Sequence, residues 1–141
     1  MILLDTDHLS VLTEQRHWAR NALAAKLNEA NDAVAIPIIS VEEQLRGWLA
    51  KINKTHAIHD QIYPYLRLGN FIDFVARWEI LYLNEPAADE FKRLRAARIR
   101  IGTNDLKIAS IALANHALLL SANLRDFNQV PHLRVEDWLS D

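Results

Sequence analysis

Apolar residues in this chain come in short runs that stop on polar, helix-capping residues. Ile2-Leu3-Leu4 ends at Asp5-Thr6-Asp7, which predicts a buried strand leading directly into a helix. A second apolar run, residues 33–39, stops at Ser40, and Ser40-Val41-Glu42-Glu43 has the spacing of a capping box. The helix opened there carries Leu45, Trp48, Leu49 and Ile52 at helical spacing. Residues 79–83 predict a third strand, and Pro86 among Glu85, Asp89 and Glu90 predicts the first turn of another helix. That helix runs into Lys92, Arg93, Arg95, Arg98 and Arg100, with Gly102 as its stop. Residues 104–116 have helical periodicity. Leu118-Leu119-Leu120 is a strand ending at Ser121, and Leu133-Arg134-Val135 is a short final strand.

Short apolar strands alternating with helices predict an α/β fold, a parallel sheet covered on both faces. Residues 51–78 break the alternation. Their pattern is helical, interrupted by Pro64 and Gly69, and dense in Ile58, Ile62, Tyr63, Tyr65, Leu66, Phe71, Phe74, Val75 and Trp78. A helical hairpin inserted beside the sheet fits, its large groups either completing the core or facing a partner. A length of 141 residues predicts one domain spanning 1–141.

Charge and composition narrow the function. Sixteen basic residues stand against eighteen acidic ones, so a charged partner must be recognised locally. The absence of cysteine excludes thiol nucleophiles and thiolate metal sites. Three isolated glycines, Gly47, Gly69 and Gly102, exclude glycine-rich phosphate loops, and no Gly-x-Ser-x-Gly elbow occurs. His56 and His59 have the spacing to share a helix face, but a solvated polar pair outweighs a metal site there. No apolar run approaches the roughly 18 residues of a membrane span, and the amino terminus lacks a basic leader region, so a cytoplasmic protein is expected.

In open parallel sheets ligands bind beyond the carboxyl ends of the strands. Asp5, Glu42 or Glu43, Asp105, Ser121, Asn123 and Asp126 all fall there. Taken singly, Asp5 reads equally as a helix cap, Glu43 as the third member of a capping box, and Asp105 as a first-turn acid. Asn123 and Asp126 read as turn residues. Their joint placement favours chemistry. Two carboxylates about 4 Å apart repel by roughly 4 kcal/mol at an effective dielectric near 20. An all-oxygen set of this kind suits a hard dication, magnesium or manganese, and phosphoryl chemistry.

Four segments then resemble the PIN-domain nucleases, most closely the VapC-like toxins of bacterial toxin–antitoxin pairs. They are Ile2-Leu3-Leu4-Asp5-Thr6-Asp7, Ser40-Val41-Glu42-Glu43-Gln44-Leu45-Arg46-Gly47, Ile101-Gly102-Thr103-Asn104-Asp105-Leu106-Lys107-Ile108-Ala109 and Leu120-Ser121-Ala122-Asn123-Leu124-Arg125-Asp126-Phe127. They occur in the family's order and spacing across essentially the whole chain. The resemblance implies a three-layer α/β/α sandwich and magnesium- or manganese-dependent cleavage of RNA. It implies Asp5, Glu43 and Asp105 as metal-binding acids, selecting Glu43 where helix phasing placed Glu42 nearer the apolar face. Asn123 stands where many members carry a fourth acid, and Asp126 is the candidate replacement. Gln44 replaces the usual Leu.

Thr6 and Ser121 are expected to meet substrate. Lys92, Arg93, Arg95, Arg98, Arg100 and Lys107 are the candidate phosphate contacts, with Arg98, Arg100 and Lys107 foremost; a solvated helix end accounts for about half of the six. The resemblance also implies an antitoxin partner, docked near residues 51–78, and a homodimer. Two rivals stand beside this reading. One is a phosphatase using Asp5 and Asp7, for which Leu9 sits at a position that family fills with Thr or Val. The other is a PIN-like binding module that has lost its chemistry.

Overall fold

The computed structural model describes residues 1–140. The five strands are β1 (Ile2–Leu4), β2 (Val34–Pro37), β3 (Glu79–Leu81), β4 (Leu118–Leu120) and β5 (Arg134–Glu136). They form one wholly parallel sheet in the order β3-β2-β1-β4-β5. β1 is central, with Ile2 opposite both Val34 and Leu118. Its unbroken apolar run reflects that position: Ile2, Leu3 and Leu4 are all buried, because helices cover both faces.

Alternating side chains feed the two layers. Leu3, Ala35 and Leu119 pack with Ala87 and Leu94 of α5 (Glu85–Ala96) and with Leu106, Ile108 and Ile111 of α6 (Thr103–Ala114). Ile2, Leu4, Ile36 and Leu120 pack on the other face. They meet Leu9 and Leu12 of α1 (Thr6–Thr13), Leu23 and Leu27 of α2 (Arg20–Ala30), and Phe71 and Val75 of α4 (Ile62–Val75). The result is the α/β/α sandwich that the strand–helix alternation predicts.

The helix α3 (Ile38–Lys54) starts earlier than the capping-box spacing implies. It begins at the end of β2, capped by the backbone of Pro37, and Ser40 lies inside its first turn. The Ser40 hydroxyl is buried and donates to the Leu4 carbonyl at 3.2 Å, so it caps nothing. Glu42 and Glu43 therefore sit in the second turn. Leu49, expected on the apolar face, is 50% exposed, because the buried stripe runs through Val41, Leu45 and Ile52.

The inserted hairpin is the enlarged crossover between β2 and β3. Its first arm is the far end of α3, a short 3-10 turn spans Ile58–Gln61, and α4 packs back on α3. Pro64 does not interrupt α4, since it lies in the first turn, where its missing N–H goes unused. Gly69 is carried within the same helix. Phe71 and Val75 complete the core, whereas Ile58, Ile62, Tyr63, Tyr65 and Leu66 face outward. His59 lies in the 3-10 turn and His56 precedes it, both exposed, so they share no α-helix.

The basic end of α5 also differs from expectation. The helix stops at Ala96, where the Ile99 N–H donates to the Leu94 carbonyl at 3.2 Å and the Arg98 N–H to the Arg95 carbonyl at 3.0 Å. This is a Schellman closure, and the residue in its left-handed position is Arg98, at φ 62°. Gly102 instead caps α6 with an ordinary φ of −54°. A left-handed conformation crowds Cβ against the backbone in any L-residue, and glycine relieves it. The exposed Arg98 has no buried packing to lose. Arg98→Gly is expected to stabilise the protein by about 1 kcal/mol, read as a higher urea midpoint at unchanged slope.

Candidate active site

The sheet order places its change of direction between β1 and β4, the neighbours lying on opposite sides of the crossover to β2. Ligand crevices in such sheets open at that point, beyond the carboxyl ends. Asp5 leaves β1 there and Ser121 leaves β4. Asp5 caps α1, with Oδ1 accepting the Thr6 N–H at 2.7 Å, while Oδ2 accepts the Ser121 hydroxyl at 2.6 Å. Burial pushes its carboxyl up to about 6; the Ser121 hydrogen bond opposes this, and the negative charges of Asp7 and Asp105 add to it.

Glu43 reaches the same edge from α3. Its Oε1 accepts the Thr6 hydroxyl at 3.1 Å, and its carboxyl is raised by burial, with Asp105 adding to the rise. Glu42 points elsewhere and pairs with Arg46 at 2.6 Å. Asp105, in the first turn of α6, is raised by burial and then by the charge of Asp126. Asn123 lies between those two acids. Its amide nitrogen donates to Asp105 Oδ2 and to Asp126 Oδ2, each at 3.1 Å.

Asp7 completes the cluster, and sequence reading gave it a part only in the rival phosphatase. Its Oδ2 accepts the Ala122 N–H at 2.9 Å, and its Oδ1 lies 2.5 Å from His8 Nδ1. His8 is fully buried, and its Nε2 accepts the Trp138 N–H at 3.1 Å. With Nε2 accepting, Nδ1 is the ring nitrogen that donates to Asp7. A lone histidine beside the apolar Leu9, Val11 and Leu12 was the one available sequence signal. Asp7, held from both sides, is poorly placed as the mobile acid–base group of a phosphatase.

Two expected ligand contacts turn inward. Ser121 is fully buried and its proton is engaged with Asp5, so its place is beneath the carboxylate and not against a substrate. Thr6 spends its hydroxyl on Glu43. Of the basic residues, Arg95, Arg98 and Arg100 border a cleft of about 620 Å³ together with Gly102 and Asp126, the one acid of the cluster that lines it. Arg93 is paired with Glu90 at 2.5 Å. Lys92 is exposed on α5, and Lys107, half-buried on α6, lines neither this cleft nor the larger one beside Glu43.

The donor set fits a hard cation. Among the described residues, none of Asp5, Glu43 and Asp105 is ion-paired with a lysine or arginine, and all three carboxyls are raised. Repulsion within an oxygen-only cluster is what a magnesium or manganese ion relieves. Among the described residues no three such groups converge into a finished cage.

The Asp5 shift makes stability depend on pH. Below about pH 4 the carboxyl is protonated folded or unfolded, and costs nothing. Between pH 4 and 6 the unfolded chain releases its proton while the folded one keeps it, so stability falls as pH rises, by about 3 kcal/mol once above the folded pKa. In metal-free protein, Asp5→Asn is therefore expected to raise the Tm at pH 7 and to have little effect at pH 4. Magnesium or manganese should raise the wild-type Tm at pH 7 and leave the variant's nearly unmoved. Equal Tm gains for Asp5→Asn at both pH values would contradict this account.

Comparison with known proteins agrees with this fold. The PIN domain family profile matches residues 2–133. Ribonuclease VapC2 of Rickettsia felis is 31% identical over 136 residues, covering 96% of each chain. Among solved structures, VapBC2 of Rickettsia felis bound to a promoter DNA fragment superposes with a TM-score of 0.73 at 26% identity, over 98% of this chain and 99% of that one. DNA-bound VapBC of Salmonella typhimurium gives 0.76 at 25% identity over 97% of each. With the sheet order, the switch-point acids and a full-length match in agreement, the chain belongs to the PIN-domain family.

Proposed function

We propose that this protein, as one PIN-like unit over residues 1–141, is a magnesium- or manganese-dependent endoribonuclease acting as the toxin of a toxin–antitoxin pair. The observation that carries the reading is the set of Asp5, Glu43 and Asp105 at the sheet's switch point, with raised carboxyls and no basic partner among the described residues. The ribonuclease names of its relatives support RNA as the substrate.

Asp5, Glu43 and Asp105 would hold the ion. Bound there, it would supply Lewis-acid stabilisation of the negative charge that develops on the phosphoryl oxygens as water attacks phosphorus and the bond to the leaving ribose oxygen breaks. The chain's own groups do the rest. Asp5 is held rigidly by Ser121 and the Thr6 N–H. Glu43, the more open of the two, has a raised carboxyl suited to orienting water and taking its proton. Asn123 holds Asp105 and Asp126 at a fixed spacing with an amide in place of a fourth charge. Arg98 and Arg100 on the rim of the basic cleft, with Lys107 on α6, are positioned to contact flanking phosphates.

An antitoxin with a basic side chain entering the acidic cluster is the matching protein partner, supported by structural neighbours that are VapBC complexes. The exposed Ile62, Tyr65, Leu66 and Ile72 of α4 offer apolar surface to it or to a second copy of this chain. No helix among the described residues is long and apolar enough to cross a membrane.

The direct test is to incubate partner-free protein with mixed structured RNAs and magnesium or manganese, with and without EDTA. Cleavage should need the ion and fall by about 100-fold or more in Asp5→Asn, Glu43→Gln and Asp105→Asn. Arg98→Ala and Arg100→Ala should mainly raise KM and flatten the salt dependence. Binding of RNA without cleavage of any of it would instead favour the inactive module.

A further inference from the structure

Next to the acids lies the larger of the clefts described, about 730 Å³, between α1, α3 and α4. Asp7 and Glu43 border one end of it, and Trp48, Lys51, Tyr63 and Arg67 the other. Along α3, Glu43, Gly47 and Lys51 recur at four-residue steps, so they share one stripe and advance about 6 Å per step. Gly47 has no backbone reason to be glycine. Its φ is not positive, and a Cβ built there meets nothing within 4 Å. A glycine inside a helix costs stability relative to alanine. What its missing side chain does is leave the cleft floor clear between Glu43 and Lys51.

The far end of the cleft is built around an indole. Lys51 Nζ sits 4.5 Å from the Trp48 ring centroid and Arg67 Cζ 4.7 Å from it, with the Tyr63 ring edge-on at 6.5 Å. Arg67 is fixed, donating to Glu14 at 2.6 Å and to the Tyr63 hydroxyl at 2.8 Å. Lys51 is exposed and, among the described residues, has no carboxylate partner. A half-buried aromatic face, covered by a cation that is free to swing away, accepts a flat π-system carrying a phosphate. Lys51 is the cation left to meet that phosphate, since Glu14 already pairs with Arg67.

We propose that this end of the cleft is a nucleobase subsite: one base of single-stranded RNA, flanking the scissile phosphate, lies over Gly47 and stacks on Trp48, while Lys51 moves to its phosphate. The inference rests on the ribonuclease reading and adds a determinant of where the strand is cut.

The test compares wild type with Trp48→Ala, Trp48→Phe and Gly47→Ala on a randomised single-stranded RNA library with sequenced ends. It also compares them on one cleaved oligonucleotide carrying an abasic residue at each flanking position in turn. In wild type, one abasic position alone should lower kcat/KM by roughly 5- to 100-fold, the range of base–aromatic stacking. Trp48→Ala should lose a similar factor on intact RNA, be indifferent to that abasic position, and relax the base preference there. Trp48→Phe should keep most of both.

Gly47→Ala should raise the Tm by about 2–4 °C and yet raise KM, a split that a merely structural glycine would not give. Unchanged KM and cut pattern in Trp48→Ala, with wild type active, overturns the subsite, leaves the ribonuclease intact and returns the cleft to a protein partner. Wild type that cuts no RNA overturns the ribonuclease reading. The subsite is then decided by fluorescence titration of Asp5→Asn with the oligonucleotide and its fully abasic counterpart. Base-dependent binding that is lost on adding Trp48→Ala supports it, and equal binding of the two probes overturns it.

Discussion

The buried hydrogen bond from Ser121 to Asp5 joins the carboxyl ends of β1 and β4 where the sheet's connectivity reverses. The two residues after Ser121 extend that arrangement. The Ala122 N–H holds Asp7, and the Asn123 amide holds Asp105 and Asp126. Three consecutive residues leaving one strand thus present neutral donors to four carboxylates, from the cap and first turn of α1, from α6 and from the short helix Leu124–Phe127. Displacing β4 from β1 would undo all of these contacts together, which makes the pairing of the two strands a requirement of the site as much as of the core.

Neutral donors fix position without cancelling charge. An arginine among these acids would have lowered their carboxyls and stabilised the fold, but it would also have occupied the place of a cation. Hydroxyl, amide and backbone N–H groups leave the carboxylates without a compensating positive charge, and burial makes the charge at Asp5 costlier still. Basic residues stand further out, in the Arg95–Arg98–Arg100 cleft and at Lys51 and Arg67, where a polyanion running past the acids would meet them. A chain with balanced overall charge therefore carries a sharply divided local field.

Much of this arrangement was legible in the sequence because it is local. An apolar triplet stopped by Asp5 marks a covered strand and its exit, and the run before Ser121 marks another. The periodicity of α6 likewise places Asp105 in a first turn. What escaped depends on contacts between distant segments. Ser40 has the chemistry of a cap, but the Leu4 carbonyl, 36 positions away, claims its hydroxyl. Gly102 is the expected stop for α5, whereas the helix closes over Arg98 in a conformation that sequence rules assign to glycine. His8 showed no function until Trp138 and Asp7 were found on its two nitrogens.

The order of the strands also bears on how the molecule is made. β1 precedes the other four strands in sequence and is the central one in the sheet, but its neighbour β4 begins at Leu118. Asp5 and Ser121 are 116 positions apart, so a nascent chain lacks its switch-point crevice until Ser121 has emerged. Until then, β1 has only β2 beside it, and the donors that hold the carboxylates do not exist. An acidic site whose first carboxylate and its buried donor lie 116 positions apart is incomplete in any fragment that lacks the segment from Ser121 to Asn123.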